Sequence, residues 1–188
     1  MKRDLIDKAL ATLKQGGTLL YPTDTIWGIG CDACCAEAVE RLYAIKERDH
    51  NKSMLVLASE AMLSPTLPPE AKELLMYGQR PTTVIVSQEY LMTTIAKNLP
   101  ANDGTVGVRI PKFDFCQALL ERLGHPIVST SANFSGRPSP TCYDDIEHAL
   151  MERVDYSLPN DVSFSHPPQP SSRIVKLDND GKVVVIRN

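Results

Sequence analysis

A chain of 188 residues with 43% hydrophobic and 23% charged side chains has enough apolar material for the core of one domain, and it lacks the low-hydrophobicity signature of a disordered chain. Its net charge of −3 and pI near 5.8 exclude the long-range polyanion attraction used by most sequence-independent nucleic-acid binders, so any phosphate site must be local. No apolar run approaches the roughly 20 residues needed to span a bilayer, and Asp4, Asp7 and Lys8 interrupt the run a secretory leader would need; the expected location is the cytoplasm, where the five cysteines stay reduced.

From the N-terminus, Leu5, Ile6, Ala9, Leu10 and Leu13 share one stripe of a helix over 4–15, stopped by Gly16-Gly17. Thr18–Tyr21 reads as a short strand closed by Pro22, followed by a turn-rich segment to Ala33. Val39, Leu42 and Tyr43 recur at helical spacing over 36–46, and 53–58 is an apolar strand. Pro68-Pro69 opens a helix over 70–77, and the β-branched run 82–86 forms a strand. Strands at 106–110 and 127–130 flank a helix over 113–123 that Gly124 stops. A helix over 144–151, a Pro- and Ser-rich loop over 158–170 and a strand at 174–177 follow; Asn179-Asp180-Gly181 turns the chain into an antiparallel partner at 182–186. Alternating elements of this kind specify an α/β domain over 1–188 whose twisted sheet is mixed, partly parallel, with flanking helices.

Several segments carry polar chemistry, and each has a purely structural alternative. The P-loop pattern is absent, and Gly28-x-Gly30-x-x-Ala33 lacks the strand immediately before it that a dinucleotide fingerprint requires; those glycines serve tight packing around a bent strand. Cys31, Cys34 and Cys35 have no second ligand pair at zinc spacing, which favours buried or half-buried thiols over a metal site. Tyr21 to Gly30 sets Thr23, Asp24 and Thr25 beside Trp27, a rim for a small polar ligand or simply a turn bonding its own backbone. In an extended loop, Lys46, Arg48 and Lys52 project together, as a triphosphate clamp or as a solvated charge run. Pro126 to Thr141 carries short hydroxyl and amide side chains that follow a buried strand and line its exit loop, suited to phosphate and ribose oxygens.

Taken together these segments closely resemble the YrdC/Sua5/YciO family, whose better-known members are threonylcarbamoyl-AMP synthases. The family's K-x-R and distant S-x-N are met by Lys46, Arg48, Ser131 and Asn133. Tyr21 to Thr25 matches Y-P-T-[DE]-[TS], and Val106 to Pro111 matches V-x-V-R-x-P. Ser172-Arg173-Ile174-Val175 is similar to P-S-T-[IV]-V, with Ser171 for the proline and Arg173 for the threonine. Three departures stand out: Gln79 to Thr83 replaces P-G-P-x-T, Leu57 stands where longer synthases often carry a histidine, and no second Sua5-type domain follows, so the likeness is to the short form.

The resemblance implies a YrdC-like domain with a concave, basic cavity that joins L-threonine and bicarbonate to ATP, releasing pyrophosphate. The product would feed the threonylcarbamoyl-transfer machinery acting on tRNA. It assigns Lys46 and Arg48 as catalytic cations; Lys46, Arg48, Lys52, Thr105, Ser131, Asn133, Ser139 and Ser172 to ATP; and Thr25, Arg109 and Ser129 to threonine. Mg2+ would travel on the ATP phosphates, with no metal ligand from protein side chains. No covalent intermediate is needed: positioning and electrostatic stabilisation suffice. Two other readings fit the same segments, a YciO-like RNA-binding module and a nucleotide-dependent enzyme acting on a different acceptor.

Overall fold

The computed structural model describes residues 3–160, 170–178 and 181–188. Its helices are α1 (Arg3–Lys14), α2 (Ala36–Lys46), α3 (Pro69–Tyr77), α4 (Asp114–Leu123) and α5 (His148–Met151). Its strands are β1 (Thr18–Tyr21), β2 (Gly28–Asp32), β3 (Leu55–Leu57), β4 (Thr82–Ser87), β5 (Thr105–Arg109), β6 (Ile127–Ser131), β7 (Tyr156–Ser157), β8 (Arg173–Leu177) and β9 (Val183–Arg187). They form one sheet in the order β7-β1-β2-β6-β3-β5-β4-β8-β9. The pairs β3/β5, β4/β8 and β1/β7 are parallel and the remainder antiparallel, so the sheet is mixed as expected.

The stripe Ile6, Ala9, Leu10 and Leu13 buries one face of α1, which packs against β1 and α4 while α2 covers β1 and β2 and α3 covers β4. Gly16 ends α1 with φ +73°, a left-handed backbone that costs glycine nothing. Among the described residues no helix is long and apolar enough to cross a membrane.

The sequence reading missed β2. Its two glycines look like breakers, yet they are what lets the strand insert between β1 and β6. A Cβ on Gly30 would lie 2.1 Å from the Val128 carbonyl oxygen and 3.0 Å from the Tyr21 hydroxyl, so the expected close-packing role holds within a strand rather than a turn. The helix expected over 144–151 is broken into a 3-10 turn, Tyr143–Asp145, and the short α5. Asp145 is the cause: its carboxylate accepts from the Thr141 and Cys142 N–H groups, at 2.9 and 3.1 Å, a local alternative to helical bonding. The two-residue β7 is too short for any periodicity to reveal. The hairpin of β8 and β9 forms; Asn179 and Asp180 of its turn, and 161–169 of the Pro- and Ser-rich loop, lie outside the described residues.

Candidate active site

Strand alternation makes the site. Along β4 and β5 the side chains of Val84, Val86, Val106 and Val108 enter the core, whereas Thr83, Ile85, Gly107 and Arg109 line a cavity of about 210 Å³ on the other face. Register sets Gly30, Ser129, Leu55, Gly107 and Ile85 in one row across β2, β6, β3, β5 and β4. Small residues in that row hollow the sheet surface: a Cβ on Gly107 would meet Thr83 Cγ2 at 3.0 Å and Leu55 Cβ at 3.3 Å. Thr23, Thr25, Ser129, Thr130, Ser131, Ser139, Ser171 and Ser172 bring hydroxyls to the wall, and Arg48, Arg109 and Arg187 bring guanidinium groups.

The chain leaving α2 decides which cation reaches the cavity. Glu47 caps the helix in the left-handed region, φ +52° and ψ +44°, and Arg48 N–H closes onto the Tyr43 carbonyl at 3.0 Å. This reversal corrects the expectation that Lys46, Arg48 and Lys52 project together from an extended loop. Lys46, the last helical residue, is only 1% exposed and does not line the cavity. Its Nζ donates to the Ser131 carbonyl and to the Asn133 carbonyl at 2.7 Å. Burial, helped by the nearby Arg48 charge, lowers its pKa to about 7. Arg48 reaches the cavity, held by bonds from Nε to the Lys52 carbonyl at 2.7 Å and from Nη2 to the Ser53 carbonyl at 3.0 Å. Lys52 is exposed and outside the lining.

Lys46 therefore braces the loop that carries the S-x-N residues. The Lys46 carbonyl accepts from Ser135 N–H at 2.9 Å, so both ends of the residue hold the 131–135 segment. Asn133 is turned into that loop, its Nδ2 donating to the Phe134 and Arg137 carbonyls at 2.9 and 2.8 Å. It shapes the turn that presents Ser131 and Ser139 and does not itself line the cavity. Thr105 is spent on Asp103, with its hydroxyl donating at 2.6 Å. For Lys46, Lys52, Thr105 and Asn133, direct contact with a ligand in the cavity does not follow from this geometry.

Arg109 is buried, with Nη1 donating to the Thr25 hydroxyl at 2.8 Å and Nη2 paired with Asp24 Oδ1 at 3.2 Å. The other Asp24 oxygen accepts from Lys112 N–H at 3.1 Å. The motif Tyr21 to Thr25 thus acts as a socket that fixes and neutralises Arg109; among the described residues, Arg48 and Arg187 are the guanidinium groups of the lining that have no carboxylate partner. Across the cavity the Ser172 and Thr83 hydroxyls bond at 2.8 Å, and Arg187 Nη2 donates to the Ser172 carbonyl at 2.8 Å. Burial and the Arg109 charge lower the Arg187 pKa. Sequence reading missed Arg187, Thr83 and Ser53; an arginine ending an otherwise apolar edge strand was the available signal for the first. Leu57 is fully buried core.

Among the described residues no carboxylate lines the cavity. Hydroxyls alone are weak ligands for a hard dication, so Mg2+ there would take its strong oxygen ligands from a phosphorylated ligand rather than a protein cage. A mixed α/β sheet hollowed by small residues, rimmed by hydroxyls and by two arginines that lack carboxylate partners among the described residues, defines a domain built to receive a compact anion-bearing ligand. The chain belongs to the Sua5/YciO/YrdC family, whose model, described as "Telomere recombination", matches residues 11–188. The threonylcarbamoyl-AMP synthase of Hahella chejuensis is 31% identical over 170 residues, covering 87% of this chain and 91% of that protein. Among solved structures, P. abyssi Sua5 complexed with L-threonine superposes with a TM-score of 0.80 at 24% identity, over 97% of this chain and 53% of that longer one. E. coli YciO superposes with a TM-score of 0.76 at 24% identity, over 100% of this chain and 90% of that one. These two likenesses speak to the fold.

Proposed function

We propose that this protein is an L-threonylcarbamoyl-AMP synthase, converting L-threonine, bicarbonate and ATP to threonylcarbamoyl-adenylate, pyrophosphate and water. The observation that carries this reading is the convergence on one sheet face of Arg48, Ser131, Ser139, Ser172 and Arg187 beside the Asp24-backed Arg109. Phosphate-type donors and a separate carboxylate-type donor then share one cavity, and the synthase relative supplies the matching chemistry.

The threonine amine adds to carbon dioxide derived from bicarbonate and loses a proton, giving a carbamate. A carbamate oxygen then attacks the α-phosphorus as the bond to pyrophosphate breaks. Arg48 and Arg187 are fixed donors for the charge developing on the phosphates, and Ser131, Ser139 and Ser172 hold phosphate or ribose oxygens. Arg109, with Thr25 and Ser129, takes the threonine carboxylate, its orientation set by Asp24. Lys46 is a positioning residue that keeps the 131–135 segment in place. Mg2+ enters as Mg·ATP. The product passes in the cytoplasm to the machinery that modifies tRNA adenosine, so stable RNA binding by this chain is not required. Pyrophosphate release measured with each substrate omitted in turn tests the proposal: release should need ATP, threonine and bicarbonate together, and equal release without threonine would refute it.

A further inference from the structure

The opposite end of β2 holds a second constellation. Asp32 ends β2, Cys34 lies in the turn beyond it, and His125 precedes β6. Their ligand atoms all lie within 4.8 Å of one another, with His125 Nδ1 3.0 Å from Asp32 Oδ1. The side chains are half-buried, 14% exposed for Asp32 and 27% for His125. Backbone structure fixes this meeting: Asp32 is in register with Ile127, Ala33 N–H donates to the Pro126 carbonyl at 3.1 Å, and Ala96 N–H donates to the Ala33 carbonyl at 2.8 Å. The Asp32 carboxylate also accepts from Cys34 N–H at 2.8 Å, which holds the turn that carries the thiol. Gly28 pairs with Ser131 at the cavity end of the same strands, whereas Asp32 pairs with Ile127 at the far end. Four residues of extended chain, about 13 Å, separate the two.

We infer that Asp32, Cys34 and His125 bind one zinc-class divalent cation at the end of β2 remote from the cavity. Carboxylate oxygen, thiolate sulfur and imidazole nitrogen are the donor types zinc takes, and bonds of about 2.0 to 2.3 Å put tetrahedral ligand atoms roughly 3.3 to 3.8 Å apart, a spacing comparable with the 4.8 Å within which all three atoms already lie. A thiolate in the set favours zinc over Mg2+ or Ca2+. On binding, the Cys34 thiol releases its proton to solvent as the sulfur takes the metal, and partial exposure leaves the fourth position to water. The neighbouring thiols are committed elsewhere: Cys31 is buried in the core and the Cys35 sulfur is directed to Glu37 at 3.6 Å. This inference does not depend on the proposed reaction.

Cobalt(II) reports both ligand type and geometry, so the metal-free full-length protein is titrated with Co2+ and then with Zn2+. The expected result is one equivalent bound with a near-ultraviolet thiolate-to-cobalt band that Zn2+ abolishes. Cys34→Ser should eliminate the band and His125→Asn should weaken Co2+ binding at least tenfold, while Cys35→Ser keeps both. Thermal melts of the metal-free variants establish that each is folded. Absence of the band in the wild type, its survival in Cys34→Ser, its loss in Cys35→Ser, or unchanged affinity in a folded His125→Asn would each overturn the site.

Discussion

Replacing Lys46 with methionine removes the two bonds its ammonium gives to the Ser131 and Asn133 carbonyls while keeping an unbranched apolar stem. Each carbonyl left buried without a partner costs about 1 to 3 kcal/mol. Opposing this, the wild-type protein holds a buried charge whose pKa has fallen from 10.5 to about 7. The sign follows from proton counting. Between those two values the unfolded chain binds the proton and the folded one releases it, so wild-type stability rises with pH across this window at about 1.4 kcal/mol per pH unit. From pH 6 to pH 9 the wild type should gain about 2 to 3 kcal/mol relative to Lys46→Met, most of it above pH 7. The pKa values of buried Tyr21, Cys31 and Cys116 are raised chiefly by burial; they are common to both proteins and cancel in the difference. Urea unfolding of the two proteins at matched pH values measures it directly. A wild-type minus variant difference that stays constant from pH 6 to pH 9 would refute the buried, easily deprotonated lysine and return Lys46 to the solvated cations.

Arg48→Ala should weaken nucleotide binding and turnover by the equivalent of about 2 to 4 kcal/mol, with Arg3→Ala near wild type because Arg3 is exposed on α1; calorimetric ATP titration and steady-state pyrophosphate assays compare them. Gly30→Ala should destabilise by about 2 to 4 kcal/mol, since its Cβ would sit 2.1 Å from a backbone oxygen; the thermal midpoint is the readout. Asp24→Ala leaves Arg109 buried without its ion-pair partner and should cost about 3 to 5 kcal/mol of stability. The loss should be smaller in a protein already carrying Arg109→Met, a comparison made by denaturant unfolding of the double-variant cycle.

Much of the sheet was legible because Val84, Val86, Val106, Val108 and Val128 announce strands by β-branching, and α1, α2 and α4 announce themselves by helical stripes. β2 was not, because Gly28 and Gly30 carry no side-chain signal and the reason for them, the Val128 backbone, belongs to a strand about a hundred residues away. At the site, the resemblance drew attention to the segments that meet, 46–48, 109, 129–139 and 172. It did not separate residues that face the cavity from those that shape it. That separation for Lys46 and Arg48 turns on one left-handed residue, Glu47, a conformation that glutamate's own propensity does not suggest. Arg187 and His125 were passed over because their neighbours are set by strand pairing: Arg187 meets the Ser172 carbonyl across the β8/β9 hairpin, and His125 meets Asp32 across β2 and β6.

The central claim is that this cavity couples a threonine carbamate to the adenylate of ATP. The most direct measurement is mass spectrometry of the product formed from ATP, threonine and isotopically labelled bicarbonate, with pyrophosphate quantified in the same reaction. The account predicts threonylcarbamoyl-adenylate carrying the bicarbonate label, in equal amount to the pyrophosphate released. Pyrophosphate formed without a labelled threonine adduct, or a labelled adduct that forms with another amino acid and not with threonine, would contradict it.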